Sequence, residues 1–307
     1  MGKYVLIRLV GAVPLLLVVA VIVFVLLQYA PGDPAELMLG MDATPENVAQ
    51  MRVKMGLDKP LHVQLLRFLA GLLRGDLGTS WQSGRPVAEE IGRTLPVTAY
   101  VSFVAIVISS VVGVLVGVLS AVRQYSLVDN IVRVVVLAGV SMPVFWLGLM
   151  LIVVFSGFLG VLPSSGWGTP KHLVLPAVTL ATYPLAMITR LTRSSMLEVI
   201  RQDYVRTARA KGLSMRAVIV HHALQNAFIP VVTVIGIQFG VLLAGAVLTE
   251  SVFAIPGIGR LTVAAVFARD YPVIRASVVL TAAIFVLINL LVDISYTYLD
   301  PRIRYDN

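Results

Sequence analysis

Residues 98–122 read TAYVSFVAIVISSVVGVLVGVLSAV, with no Asp, Glu, Lys or Arg anywhere in the run. A helix of ~20 apolar residues is what crosses a ~30 Å hydrocarbon core, so this stretch predicts a membrane span. Small residues recur in it every four positions, at Ser109, Gly113, Gly117 and Ala121, a spacing that lets helix backbones approach closely. Such a stripe serves either packing within the chain, the preferred reading, or a subunit interface.

Outward from this run, five more apolar stretches of similar length lie at about 9–29, 134–157, 173–193, 228–249 and 276–298. The fifth span repeats the small-residue spacing at Gly236, Gly240 and Ala244. Pro143 interrupts the third span, and Pro176 and Pro184 the fourth; spans tolerate proline where neighbouring helices satisfy the freed carbonyls. The first run follows Lys3 and Arg8, exceeds the ~7–15 apolar residues of a signal peptide and lacks a small-x-small cleavage site before Pro31. It is expected to stay as a helix. The fold class predicted is an all-α integral membrane protein with six transmembrane helices in a single transmembrane domain, 1–307.

Composition agrees. Of 307 residues 58% are hydrophobic and only 13% charged, against about 25% charged in soluble domains, which excludes both a soluble globule and a disordered chain. The absence of cysteine excludes disulfides, thiolate metal sites and cysteine nucleophiles. The formal net charge of +8 becomes informative once sorted by side. Six spans put both termini together, with the 123–133 turn and the 190–216 segment. That side holds 13 basic residues, Arg302 and Arg304 of the tail among them, against five acidic ones; the other side holds 11 against 10. The positive side is cytoplasmic, so both termini are cytoplasmic and nucleic acid has no support as a partner.

The 31–97 loop is the one large extracytoplasmic piece. Thr44 can cap a helix with Pro45 at its start and Gly56 after its end, and Asp58 and Pro60 can begin a second that runs to Gly75. Apolar positions 61, 65, 66, 69, 72 and 73 of the second share a face and should lie against the membrane or the bundle.

Chemistry is conspicuous by what is missing. His62, His172, His221 and His222 form no H-E-x-x-H and no i,i+4 pair, so no zinc site or other metal site is predicted. No G-x-x-x-x-G-K-[ST] loop is present, and no cofactor is expected in this chain, which must be driven by energy from elsewhere. A stand-alone ion-driven secondary transporter is the alternative, and it would have to use Asp293, one turn beyond Asn289 on the same face of the sixth span. Gln238, Asn289 and Asp293 are polar enough to be candidates for a substrate pathway.

The cytoplasmic segment 194–226 is too long for a simple turn. Within it, 198–230 reads EVIRQDYVRTARAKGLSMRAVIVHHALQNAFIP. Val199 to Ala210 predicts a helix, Gly212 a break, and Met215 to Leu224 a resumed helix. Seven of the 13 cytoplasmic basic residues lie in 190–216, suited either to anionic membrane lipid or to docking a protein.

The run Arg206-Thr207-Ala208-Arg209-Ala210-Lys211-Gly212 resembles the E-A-A-x-x-x-G loop of ABC importer permeases. Arg206 and Thr207 stand where the general pattern has Glu and Ala, and His222-Ala223-Leu224-Gln225 replaces its later I-x-L-P; this is the form of the dipeptide/oligopeptide/nickel and glutathione branch. Further matches include Pro31-Gly32-Asp33-Pro34, Gly75-Asp76-Leu77-Gly78, Pro256-Gly257-Ile258-Gly259-Arg260 and Arg269-Asp270-Tyr271-Pro272. Within the branch the chain looks most like the first permease of a pair. The resemblance implies a type I importer permease fold in a bacterial or archaeal cell (inner) membrane. It implies as partners a second homologous permease subunit, two cytoplasmic ATPase subunits that bind the ATP, and an extracytoplasmic solute-binding protein. Arg206, Thr207, Ala208, Arg209, Lys211, Gly212 and Leu213 would then couple to the ATPases, with Ala208 and Gly212 allowing close contact.

Overall fold

The computed structural model describes residues 2–299, so the C-terminal tail with Arg302 and Arg304, expected to be cytoplasmic, lies outside the described residues. Fourteen α-helices are described: α1 (Gly2–Gln28), α2 (Pro34–Leu39), α3 (Pro45–Met55), α4 (Leu61–Leu73), α5 (Val87–Val122), α6 (Leu127–Ser141), α7 (Val144–Leu151), α8 (Pro170–Ile200), α9 (Asp203–Ala210), α10 (Met215–Ala217), α11 (Leu224–Gly245), α12 (Val247–Val252), α13 (Ile258–Ala268) and α14 (Tyr271–Leu299). Two π-helical stretches, Ile152–Phe158 and Val218–Ala223, extend α7 and precede α11. Five helices are long and apolar enough to cross a membrane, and α6 with α7 makes a sixth span if the pair is counted as one.

That pair departs from the expected straight third span. The axes of α6 and its continuation bend by 105° at Pro143. Proline restricts the residue before it to extended backbone and supplies no N–H of its own. Met142 accordingly sits at ψ 131° and ends α6, while Pro143 starts α7. Pro176 and Pro184, by contrast, stay inside the unbroken α8. Helix α5 begins at Val87, well before the apolar run, because Glu89 and Glu90 favour a helix N-terminus and Arg93 pairs with Glu89 at 2.5 Å.

Packing divides the chain into two compact units, the first Met1–Thr98 with Pro256–Val286, the second Ala99–Ile255 with the described residues from Leu287 onward. The sequence marks no such boundary, because two of the crossings fall inside α5 and α14.

In the first unit the loop helices follow their caps. The Thr44 hydroxyl accepts from the Asn47 N–H at 3.3 Å, and Gly56 closes α3 at φ +71°. A buried carboxylate organises the loop before α5. Asp270 accepts from the Ser80 hydroxyl at 2.5 Å and from the Trp81 and Gln82 N–H groups at 3.1 and 3.2 Å. Next to it, Arg269 donates to the Pro31 carbonyl at 2.6 Å. Val23, Val87, Ile91, Ile258, Tyr271 and Ile274 build the apolar core. The guanidinium of Arg275 lies 4.4 Å over the Phe24 ring, with Phe68 and Tyr271 completing an aromatic enclosure.

In the second unit the small-residue stripe packs within the chain, as preferred. A methyl placed on Gly117 would lie 2.7 Å from Thr192 Cβ and 2.8 Å from the Thr189 carbonyl, so α5 and α8 touch backbone to backbone. Gly236 gives the same closeness to Val292 between α11 and α14. In the first turn of α6, Asp129 is fully buried and receives a bidentate Arg193, at 2.7 and 2.9 Å, plus the Ser120 hydroxyl at 2.5 Å, the Tyr125 N–H at 3.0 Å and a longer ion pair with Arg133 at 3.8 Å.

Candidate functional site

The basic segment 194–226 begins where Arg193 fastens α8 to α6. Helix α8 ends at Ile200 and α9 starts at Asp203, so the single helix expected over Val199–Ala210 is broken at Arg201 and Gln202. Alternation of apolar and charged residues gives α9 a buried face, Val205 and Ala208, which packs with Val218 and Val199 into a small separate core. Tyr204 accepts from the Asn226 side chain at 3.0 Å and ties α9 to α11. Gly212 turns the chain at φ +79°, a conformation natural to glycine. Ser214 then caps α10 by accepting from the Ala217 N–H at 3.3 Å, and the chain runs through the π-helix into α11 without a loop.

The predicted coupling residues therefore separate by face. Arg206, Thr207, Arg209, Lys211, Gly212 and Leu213 are exposed along one rim, whereas Ala208 points inward. Its small side chain serves the internal packing against Val218 rather than contact from outside. Beside the rim, Arg193, Ser194, Leu197, Glu198 and Arg201 line a shallow hollow of about 440 Å³. The rim thus offers a cationic, well-supported edge, with a glycine whose Cβ position is open.

The three residues proposed for a substrate pathway do not form one cluster. Gln238, midway along α11, lines a cavity of about 370 Å³ whose other walls come from the start of α7 (Pro143, Phe145), α8 (Leu180, Tyr183) and α12 (Thr249). Asn289 and Asp293 are half-buried on α14, line no part of that cavity, and each has an interaction of its own. Tyr183 and Thr249 were not foreseen, because a tyrosine and a threonine in apolar helices carry no signal of function. The signal that was present was proline, with Pro143 and Pro184 both lining the cavity. Glu250, fully buried in α12 and engaged with a partner, was likewise unmarked. No group of three or more His, Asp and Glu able to hold a metal occurs among the described residues.

Two family profiles together match nearly the whole chain. One, described as the N-terminal part of a binding-protein-dependent transport system membrane component, matches residues 1–102; the other, the inner membrane component of such systems, matches 113–305. The chain belongs to this family of binding-protein-dependent transport permeases. The permease is 42% identical to the dipeptide transport system permease protein DppB of Alkalihalophilus pseudofirmus, over 99% of this chain and 100% of that one. It is 45% identical to the glutathione transport system permease protein GsiC of Salmonella paratyphi A, with the same coverage. A putative peptide transport system permease protein of Brucella abortus is 44% identical over 97% of this chain and 98% of that one. Among solved structures, a chain of the inward-facing MetNI methionine ABC transporter superposes with TM-score 0.59 at 22% identity, covering 68% of this permease and 96% of that chain. A chain of an amino acid ABC transporter with histidines gives 0.53 at 16%, covering 70% and 95%. These two likenesses bear on the fold, which is that of an ABC importer permease, multi-pass and all-α.

Proposed function

We propose that this permease forms half of the translocation pore of an ATP-driven importer for short peptides or related solutes such as dipeptides, oligopeptides or glutathione, in the inner membrane of a bacterial or archaeal cell. The observation that carries the reading is full-length identity above 40% to permeases named for dipeptide, glutathione and peptide transport. Its partners are a second homologous permease, two cytoplasmic ATPases that bind the ATP, and an extracytoplasmic solute-binding protein. The permease itself carries no catalytic residue and no cofactor. The rim Arg206, Thr207, Arg209, Lys211, Gly212 and Leu213 meets an ATPase surface of complementary acidity. A helix pair with its own core and no loop before α11 transmits displacement to the fifth span instead of absorbing it.

The test is uptake of a labelled dipeptide into liposomes holding the complex purified through this chain. Uptake should need ATP and the binding protein, and should ignore a proton ionophore. Uptake by the chain alone, abolished by the ionophore and by Asp293→Asn, would establish the ion-driven alternative instead. Gly212→Val forces a branched residue into positive φ. It is expected to lower transport and solute-stimulated ATP hydrolysis roughly tenfold while subunits still co-purify; undiminished transport removes the coupling assignment.

A further inference from the structure

We infer that the cavity between α7, α8, α11 and α12 is a station for one uncharged peptide residue in transit, its backbone amide held by Gln238, Tyr183 and Thr249; the inference rests on the importer reading above. The cavity's polar groups are few. Gln238 is more than nine-tenths buried and lines the cavity, yet its amide makes no hydrogen bond to any described residue. A carboxamide carries two donors and an acceptor with two lone pairs, so its pairing with a peptide group is reciprocal. Tyr183 and Thr249 bring hydroxyl-bearing side chains to two further walls. Burying an unmatched carboxamide in a span is costly. A helix bundle that only needed to pack would place leucine at position 238.

The rest of the lining decides the ligand class. Val241, Leu242, Leu248, Leu180 and Phe145 are apolar, and no Asp, Glu, Lys, Arg or His lines the cavity. A metal ion finds no ligand of its kind there, and the ionised ends of a peptide find no counter-charge. An internal residue with a neutral side chain satisfies both the amide and the wall. The volume, about 370 Å³, lies in the range of roughly 300–1,000 Å³ usual for small-molecule sites. Lipid acyl chains match the wall but leave Gln238 unpaired. With hydrogen bonds as the only polar hold and no ion pair, binding is weak, as passage requires.

The experiment uses the whole complex in liposomes with trialanine and with a tripeptide whose central residue is photoreactive leucine. On irradiation of the ATPase-arrested complex, adducts should fall on residues 180–184 or 238–249 and diminish with excess trialanine. Gln238→Leu should lower the maximal trialanine uptake roughly five- to tenfold, and Tyr183→Phe by a smaller factor. Adducts confined to other helices, or labelling of the cavity by a photoreactive phospholipid that trialanine does not displace, overturns the station, as does uptake at the unmodified rate in both variants. Should Gln238→Leu fail to assemble, the adduct map on the unmodified chain decides alone. If the unmodified complex moves no peptide at all, it is the importer reading for peptides that fails, with the station.

Discussion

Asp270 and Gly117 hold their respective units by opposite means. In the first unit a buried carboxylate gathers donors from Ser80, Trp81 and Gln82, and an arginine reaches the Pro31 carbonyl, so segments far apart in sequence meet through directional bonds. In the second, a missing side chain lets α5 lie against α8 at contact distance, and polar anchoring is concentrated at Asp129 and Arg193. The difference follows from environment. Backbone N–H groups that a folded loop removes from water need acceptors, and a carboxylate supplies them well. Between spans, hydrophobic driving force is absent and close van der Waals contact takes its place.

The largest effect is expected where the second unit breaks its own habit. Arg193→Leu leaves buried Asp129 with only the longer contact to the exposed Arg133, at 3.8 Å, a loss of up to about 3–5 kcal/mol, read as a fall in the thermal stability of the detergent-solubilised chain. Adding Asp129→Asn to it should recover most of the loss, since no charge then remains buried; no recovery would mean that shape, not charge, matters there. Gly117→Leu comes next. Its neighbours include the Thr189 carbonyl, which cannot swing aside, so overpacking of about 1–3 kcal/mol or more is expected, and a variant of unchanged stability would show that α5 and α8 part easily. Asp270→Asn is the mildest, at about 1–2 kcal/mol, because one oxygen still accepts. Its signature is local: faster proteolysis within 79–86 with the spans intact. Global destabilisation by Asp270→Asn as large as that of Arg193→Leu would erase the contrast between the units.

Legibility tracked the range of the interaction. The apolar runs of α1, α5 and α14 were readable because a span needs only sustained apolar length. Thr44, Pro45 and Gly56 were readable because caps act within a turn. The bend at Pro143 was half-visible: the proline was there, but so were the prolines that α8 absorbs, and what decides between them is which neighbours pack around each. Asp270 binding residues 80–82 joins positions nearly two hundred apart, beyond any local pattern. For the sites, the exposed basic rim was foreseen from charge and Gly212, whereas the inward turn of Ala208 depended on Val218 across the break. Gln238 was singled out as a polar residue in an apolar run; Tyr183 and Thr249 gain meaning only from the hollow they share with it.

The π-helical turn Val218–Ala223 sets the phase of everything after it. Its i→i+5 bonding holds more residues per turn than the 3.6 of an α-helix, so α11 leaves it rotated relative to an unbroken count from Met215. Which way Gln238 faces is therefore written fifteen or more positions upstream, in the segment that carries the basic rim. One residue more or fewer in that turn is an angular change of about 100° along the whole of α11, enough to turn Gln238, Val241 and Leu242 out of the cavity they line.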